Sequence, residues 1–258
     1  MNIRLLGITL LVLLMIGGLI AGTFAHAIEY TLTIPMHTRQ NIPIATKTTP
    51  VIVTTGAGTV SNVLAQDTFQ RANQPLWGTA TDTRMWDGDA NNANNQNVFS
   101  ITNKMGQIAN GQGAFNALLG QANSQAEVLM FGSINHFNAG AVNLGAVLRW
   151  QDTNNWYKMM IDGTSVTLLK HINGKSAILA AAPFAAKGGR VYALRFRVVG
   201  ATLFAKVWRG TLAEPANWMI TVNDTDLLTG QMGIRVLVQN ETVVHIASFV
   251  ATTANSGM

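Results

Sequence analysis

The amino-acid sequence predicts an all-β protein made of two packed antiparallel sheets, and three observations carry that expectation. Apolar and polar residues alternate with period two through most of the chain beyond residue 97, which is the signature of strands with one buried face. Turn-forming pairs such as Asp162-Gly163, Asn173-Gly174 and Gly188-Gly189 interrupt the alternation, at the spacing of about 8–12 residues typical of sandwiches. Only 11% of the 258 residues are charged while 48% are apolar. The core can therefore be large, and Asn, Gln, Thr and Ser must cover much of the surface, as in an extracellular β-protein.

In chain order, residues 1–27 read as a signal peptide or membrane anchor. Arg4 supplies the positive end, residues 5–21 are apolar, and Ala25-His26-Ala27 offers a small-x-small cleavage site. Cleavage would release the protein; retention would anchor it, because the apolar run approaches the roughly 20 residues that cross a bilayer. Either route places the rest outside the cell or at its surface, with membrane contact only through this segment if it is uncleaved. Residues 28–62 form a Thr/Pro-rich spacer, since Pro35, Pro43 and Pro50 forbid a helix and interrupt any central strand. The alternative is that residues 30–34 and 51–55 are edge strands laid against the main body.

The sandwich domain is expected over 63–253, with a tail at 254–258. Near its start, Phe69 and Trp77 stand among polar turn formers and are candidates to plug a core. The stretch 82–97, rich in Asp, Asn and Gly, has no core-facing pattern and is expected to be a surface excursion. Strands are predicted at 98–102, 105–109, 126–134, 142–150, 156–162, 165–171, 176–180, 190–199, 202–208, 218–222, 230–239 and 243–251. Residues 115–121 alone have helical promise. Alternation places Tyr192, Leu194, Phe196 and Val198 on a core face, opposite Val191, Ala193, Arg195 and Arg197. In the preceding hairpin it sets Gly145, Val147 and Arg149 against Ala146, Leu148 and Trp150, and Trp156, Lys158, Met160 and Asp162 against Tyr157, Met159 and Ile161.

Several function classes are excluded or weakened. The net charge is +5, but the basic residues are scattered singly, without the stripe that a phosphate backbone requires, so no nucleic-acid partner is expected. There is no cysteine, hence no disulfide framework, thiol nucleophile or thiolate metal site. The histidines His37, His136, His171 and His245 lack ligand spacing, and neither a zinc site nor a Ser-His-Asp triad has local support.

A set of segments resembles the concanavalin A-like lectin/glucanase superfamily, specifically the laminin-G-like jelly-roll modules of secreted bacterial proteins. These are Asp67-Thr-Phe-Gln-Arg-Ala-Asn73 with Trp77, Gly145-Ala-Val-Leu-Arg-Trp-Gln-Asp-Thr-Asn-Asn-Trp-Tyr157, Ile161-Asp-Gly163, Tyr192-Ala-Leu-Arg-Phe-Arg-Val-Val-Gly200 and Gly230-Gln-Met-Gly-Ile-Arg235. The resemblance implies a jelly-roll sandwich whose concave sheet carries carbohydrate in modules that are lectin-like, catalytic or purely structural. The glucanase branch bears a Glu-x-Asp-x-(x)-Glu strand, and this chain departs from it: Glu29, Glu127, Glu214 and Glu241 have no carboxylate two residues away. Glycoside hydrolysis needs two carboxyl groups facing across the sugar.

The expected function is a non-catalytic, secreted or surface-tethered module that binds a glycan or cell-envelope polysaccharide; a structural or adhesive domain and a diverged hydrolase are the alternatives. The candidate sugar contacts are Arg149, Trp156, Lys158, Arg195 and Arg197, since rings stack on pyranose faces and guanidinium groups donate to paired hydroxyls. No cofactor is expected beyond calcium, for which Asp87, Asp89 and Asn91 are candidates because oxygen ligands at alternate positions open a calcium loop. Asp67, placed where family members hold calcium, is a fourth. The sixth and twelfth positions of the loop, Asn92 and Val98, depart from the EF-hand pattern.

Overall fold

The computed structural model describes residues 63–254. The expected signal or anchor and the spacer lie outside the described residues, as does most of the tail. Sixteen strands follow in order: β1 Val63–Asp67, β2 Gln74–Pro75, β3 Asp87–Gly88, β4 Phe99–Thr102, β5 Met105–Ile108, β6 Gly113–Leu118, β7 Ala126–Ile134 and β8 Leu144–Asp152, then β9 Asn155–Ile161, β10 Ser165–Ile172, β11 Lys175–Pro183, β12 Val191–Val199, β13 Thr202–Arg209, β14 Ile220–Asn223, β15 Gln231–Val238 and β16 Val244–Thr253.

They form two antiparallel sheets. One runs β14-β13-β12-β7-β16-β5-β4-β2, with β1 pairing β16 as its ninth strand; the other runs β11-β10-β9-β8-β15-β6-β3. Crossovers such as β7 beside β12 and β8 beside β15 are those of a jelly-roll sandwich. The long strand β16 holds β7 on one edge, while β5 and β1 share its other edge.

Alternation fills the space between the sheets. Tyr192, Leu194, Phe196 and Val198 face inward from β12, and Ala146, Leu148, Tyr157, Met159 and Ile161 face them from β8 and β9, all in one buried cluster. At one end, Trp77 meets Phe69, Trp86 and Phe99 edge-on at 5.1, 4.9 and 5.2 Å between ring centroids. Such pairs contribute about 0.5–1.5 kcal/mol each beyond their burial.

Two expectations fail for identifiable reasons. Residues 115–121 are not helical: Phe115 packs against Phe99, and β6 pairs with β15 from Gly113 to Leu118, so sheet pairing overrides the local propensity. The polar stretch 82–97 is more than a surface excursion. It buries Trp86 and Ala90, contributes β3 to the edge of the seven-stranded sheet, and includes two 3₁₀ turns, Asp89–Asn91 and Ala93–Asn95. Its two buried side chains are too few to create a periodic signal.

Candidate functional site

The outer face of the seven-stranded sheet carries a second apolar cluster, of Leu118, Val147, Trp150 and Trp156, separate from the main core. A bulge in β8 builds it. Leu148 pairs with Tyr157, the register then slips, and pairing resumes at Asp152 opposite Asn155. Within the slip Arg149 adopts φ 51°, a left-handed conformation rare for a residue with a side chain. Strict alternation is broken there, so Arg149 turns inward and Trp150 joins Trp156 outside. A Cβ on Gly230 would stand 2.4 Å from the Arg149 carbonyl carbon; glycine alone lets the chain entering β15 close onto the bulge.

The outer rings form one stack. Trp150 and Trp156 lie 6.3 Å apart and nearly parallel, and His171 stacks on Trp156 at 4.6 Å. The Arg235 guanidinium sits over Trp156 at 4.7 Å and over Trp150 at 5.7 Å, and donates to Asn116 Oδ1. Lys158, two residues along β9 from Trp156, is only 4% exposed. Its Nζ donates to Asn143 Oδ1 at 2.6 Å. Gly145 makes room for its stem, since a Cβ there would stand 2.6 Å from Lys158 Cε.

Burial shapes the charges. It pushes the Lys158 amine well below its ordinary pKa, and the nearby Arg235 charge adds to the effect. His171 is lowered by burial and by Arg235, with Asp152 opposing. Arg235 is itself lowered by burial, with Asp89 opposing.

Beside the stack an open depression is lined by Arg84, Met85, Asp87, Leu118, Gly120, Gln121 and Gln231. It adjoins Trp150 twice over: Leu118 belongs to the same cluster, and Gln231 is the register partner of Trp150. Leu118 and Met85 offer apolar surface; the guanidinium, the two amides and the Asp87 carboxylate offer donors and acceptors.

The expected sugar contacts do not converge. Trp156 lies in the outer stack and Lys158 two residues along the same strand, both nearly inaccessible. Arg149 is 2% exposed, and its guanidinium is committed to the carbonyls of Ser124, Leu227 and Gly200, which makes it a clamp between loops. Arg195 and Arg197 stand on β12, on the outer face of the other sheet. Arg195 is paired with Glu127 and Glu214, and Arg197 packs over Phe204.

The calcium candidates do not fit a cation either. Both oxygens of buried Asp67 are filled by donors: the amides of Phe69 and Thr81, Trp86 Nε1, and a bidentate Arg71. The Asp87 carboxylate caps the next amide, Asp89 accepts from Asn95 and from Asn116, and Asn91 is exposed. Among the described residues no three acidic, histidine or cysteine side chains group to hold a metal.

Sequence reasoning missed Trp150, His171 and Arg235 as members of the stack. The His171 position was readable, because the turn at Asp162-Gly163 fixes Val166 opposite Ile161 and thereby His171 opposite Trp156. Trp150 was hidden by the bulge.

Solved structures are similar to this chain, two of those that follow with TM-scores of 0.50 or more. The xylan β-1,4-xylosidase from Bacillus halodurans C-125 is 14% identical, with TM-score 0.52, over 72% of this chain and 38% of its own. The VIP36 exoplasmic/lumenal domain in its Ca2+/Man-bound form is 10% identical, with TM-score 0.50, over 68% of this chain and 84% of its own. The carbohydrate binding module CBM66 from Bacillus subtilis is 18% identical, with TM-score 0.49, over 62% of this chain and 91% of its own. This chain thus spans less than two fifths of the xylosidase it matches. No protein-family model matches the sequence, and no curated protein is similar to it. The fold these comparisons show is the two-sheet antiparallel jelly-roll sandwich expected from the sequence.

Proposed function

We propose that the protein is an exported or surface-tethered, non-catalytic module that binds carbohydrate on the outer face of its seven-stranded sheet, with a cell-envelope or extracellular polysaccharide as ligand. The observation that carries this reading is the open depression beside the aromatic stack, with Leu118 and Met85 as apolar surface and Arg84, Asp87, Gln121 and Gln231 as polar rim. Sugars present apolar C–H patches and rings of hydroxyls, and such a lining suits both. The same lining holds one carboxylate, Asp87, where hydrolysis needs two facing each other about 5–9 Å apart. The shared fold with a Man-bound domain agrees with the reading, although a fold hosts many functions.

The test is affinity electrophoresis of the full chain in gels containing a panel of neutral and charged polysaccharides. Retention by at least one polymer is expected, weakened roughly tenfold by Gln231→Ala, the loss of about one well-placed hydrogen-bond group, with thermal unfolding unchanged. Release of reducing ends from any polymer would make the protein a hydrolase.

A structural or adhesive role is the second reading. The edge strand β11 favours it, being mostly exposed, with Ile178 70% exposed, because an open edge is a template for another strand. No retention by the panel, together with self-association in sedimentation velocity, would select it.

A further inference from the structure

The two outer faces of the sandwich treat their cations differently. On the nine-stranded sheet Arg195 is paired with Glu127 and Glu214, and Lys206 meets Glu214 at 2.6 Å. On the seven-stranded sheet neither Lys158 nor Arg235 has a carboxylate within 4.0 Å among the described residues. The nearby acids are engaged elsewhere: Asp89 with Asn116 and Asn95, Asp152 with Asn154 and Asn155. Arg235 and His171 thus both pack against Trp156, Lys158 is buried two residues along β9, and of these side chains only Arg235 and His171 reach partial exposure. Burial disfavours the charged forms of the Lys158 amine and the His171 ring, so the Arg235 guanidinium is the standing charge of this group with no carboxylate beside it, and it gains most from an anion arriving on the stack.

We propose that the carbohydrate taken on this face carries an anionic group, a carboxylate or a sulfate, seated against Arg235 beside His171. This rests on the reading of the same face as a glycan site and names the ligand class. A planar guanidinium already oriented on two indole rings donates to an anion without first being ordered. Arg235 spends its bond to Asn116 on fixing the fork, and its partly exposed side is what a ligand meets. A neutral sugar would leave the Arg235 guanidinium without a counter-charge.

The experiment compares the full chain on gels of polygalacturonate, dextran sulfate and neutral dextran or xylan, at low and moderate salt. Because the chain is basic overall, Arg209→Gln, at an exposed position at the end of β13, serves as an equal-charge control. The expected result is retention by an anionic polymer that falls roughly tenfold for Arg235→Gln, the scale of one charge-assisted hydrogen bond, and less than threefold for Arg209→Gln. Arg235→Lys, which keeps the charge but not the fork, is expected to restore part of the retention, and unfolding midpoints report that the variants are folded. Carboxylate and sulfate polymers separate the two sources of the anion. Equal losses for the two glutamine variants, or retention by neutral polymers alone, would overturn the anionic assignment; the neutral result leaves the glycan site standing. Failure of every polymer to retain the protein would overturn both.

Discussion

Asp67 shows how much one residue can organise. Its carboxylate is fully buried and accepts five hydrogen bonds, two of them from Arg71, tying β1 to the chain around Thr81 and Trp86. The guanidinium occupies the place that a metal ion would need. Asp67→Ala leaves Arg71 without its counter-charge next to the core, and removing one partner of a buried pair costs about 3–5 kcal/mol. A fall of that size in the free energy of urea unfolding is expected, with no response to added calcium; a calcium-dependent rescue would mean that a cation shares the site. Arg149 belongs to the same kind. Arg149→Met strips donors from three carbonyls, each costing about 1–3 kcal/mol if left unsatisfied. It is expected to lower stability by at least about 2 kcal/mol while leaving polysaccharide affinity of the folded protein unchanged, which denaturation and gel retention measure separately.

At the level of the strand, the buried lysine of β9 is the informative case. Lys158 is 4% exposed and its amine has one neutral partner, Asn143. Replacing a buried cation by an apolar side chain of similar length is often neutral or stabilising, so Lys158→Met is expected to unfold at equal or higher urea at pH 7. A loss of more than about 2 kcal/mol would show that the hydrogen bond outweighs desolvation. Element by element, strands with strict period two were legible: the twelve predicted ones from 98 to 251 all contain strand, and β12 buries the residues that alternation assigns to the core. What escaped is what local pattern does not encode. The bulge at Arg149 reverses the faces of two residues without altering composition, and β6 reads as helical until its pairing with β15 is known. The candidate site suffered most, because it straddles that bulge and draws on β3, β6, β8, β9, β10 and β15 at once.

For the whole molecule, the shifted groups predict one stability profile with pH. On the acid side, His171 and His245 are lowered by burial, so the unfolded chain takes up their protons first and stability is lost as pH falls below about 6.5. Asp162 and Asp224, lowered by hydrogen bonds that overcome their burial, hold stability that is present above the ordinary carboxylate range and disappears in strong acid. On the alkaline side two groups act in opposite directions. Lys158 is depressed in the fold, so between its folded and unfolded values the unfolded state binds the extra proton, and stability rises with pH toward about 10.5. Tyr157 is pushed up to about 12 by burial and by its bond to Asp224. Its contribution is complete below pH 10 and is lost as pH rises from there to about 12. Lys170, raised by Asp224 and Asp226, is lost in the same alkaline direction. Urea midpoints measured from pH 4 to 11.5 should therefore climb through neutrality, peak near pH 10 and then fall. Lys158→Met should flatten the climb above neutrality, and Tyr157→Phe the fall. A profile that is flat between pH 7 and 10 in the wild type would show that the Lys158 amine keeps its proton in the fold, with its charge already compensated there.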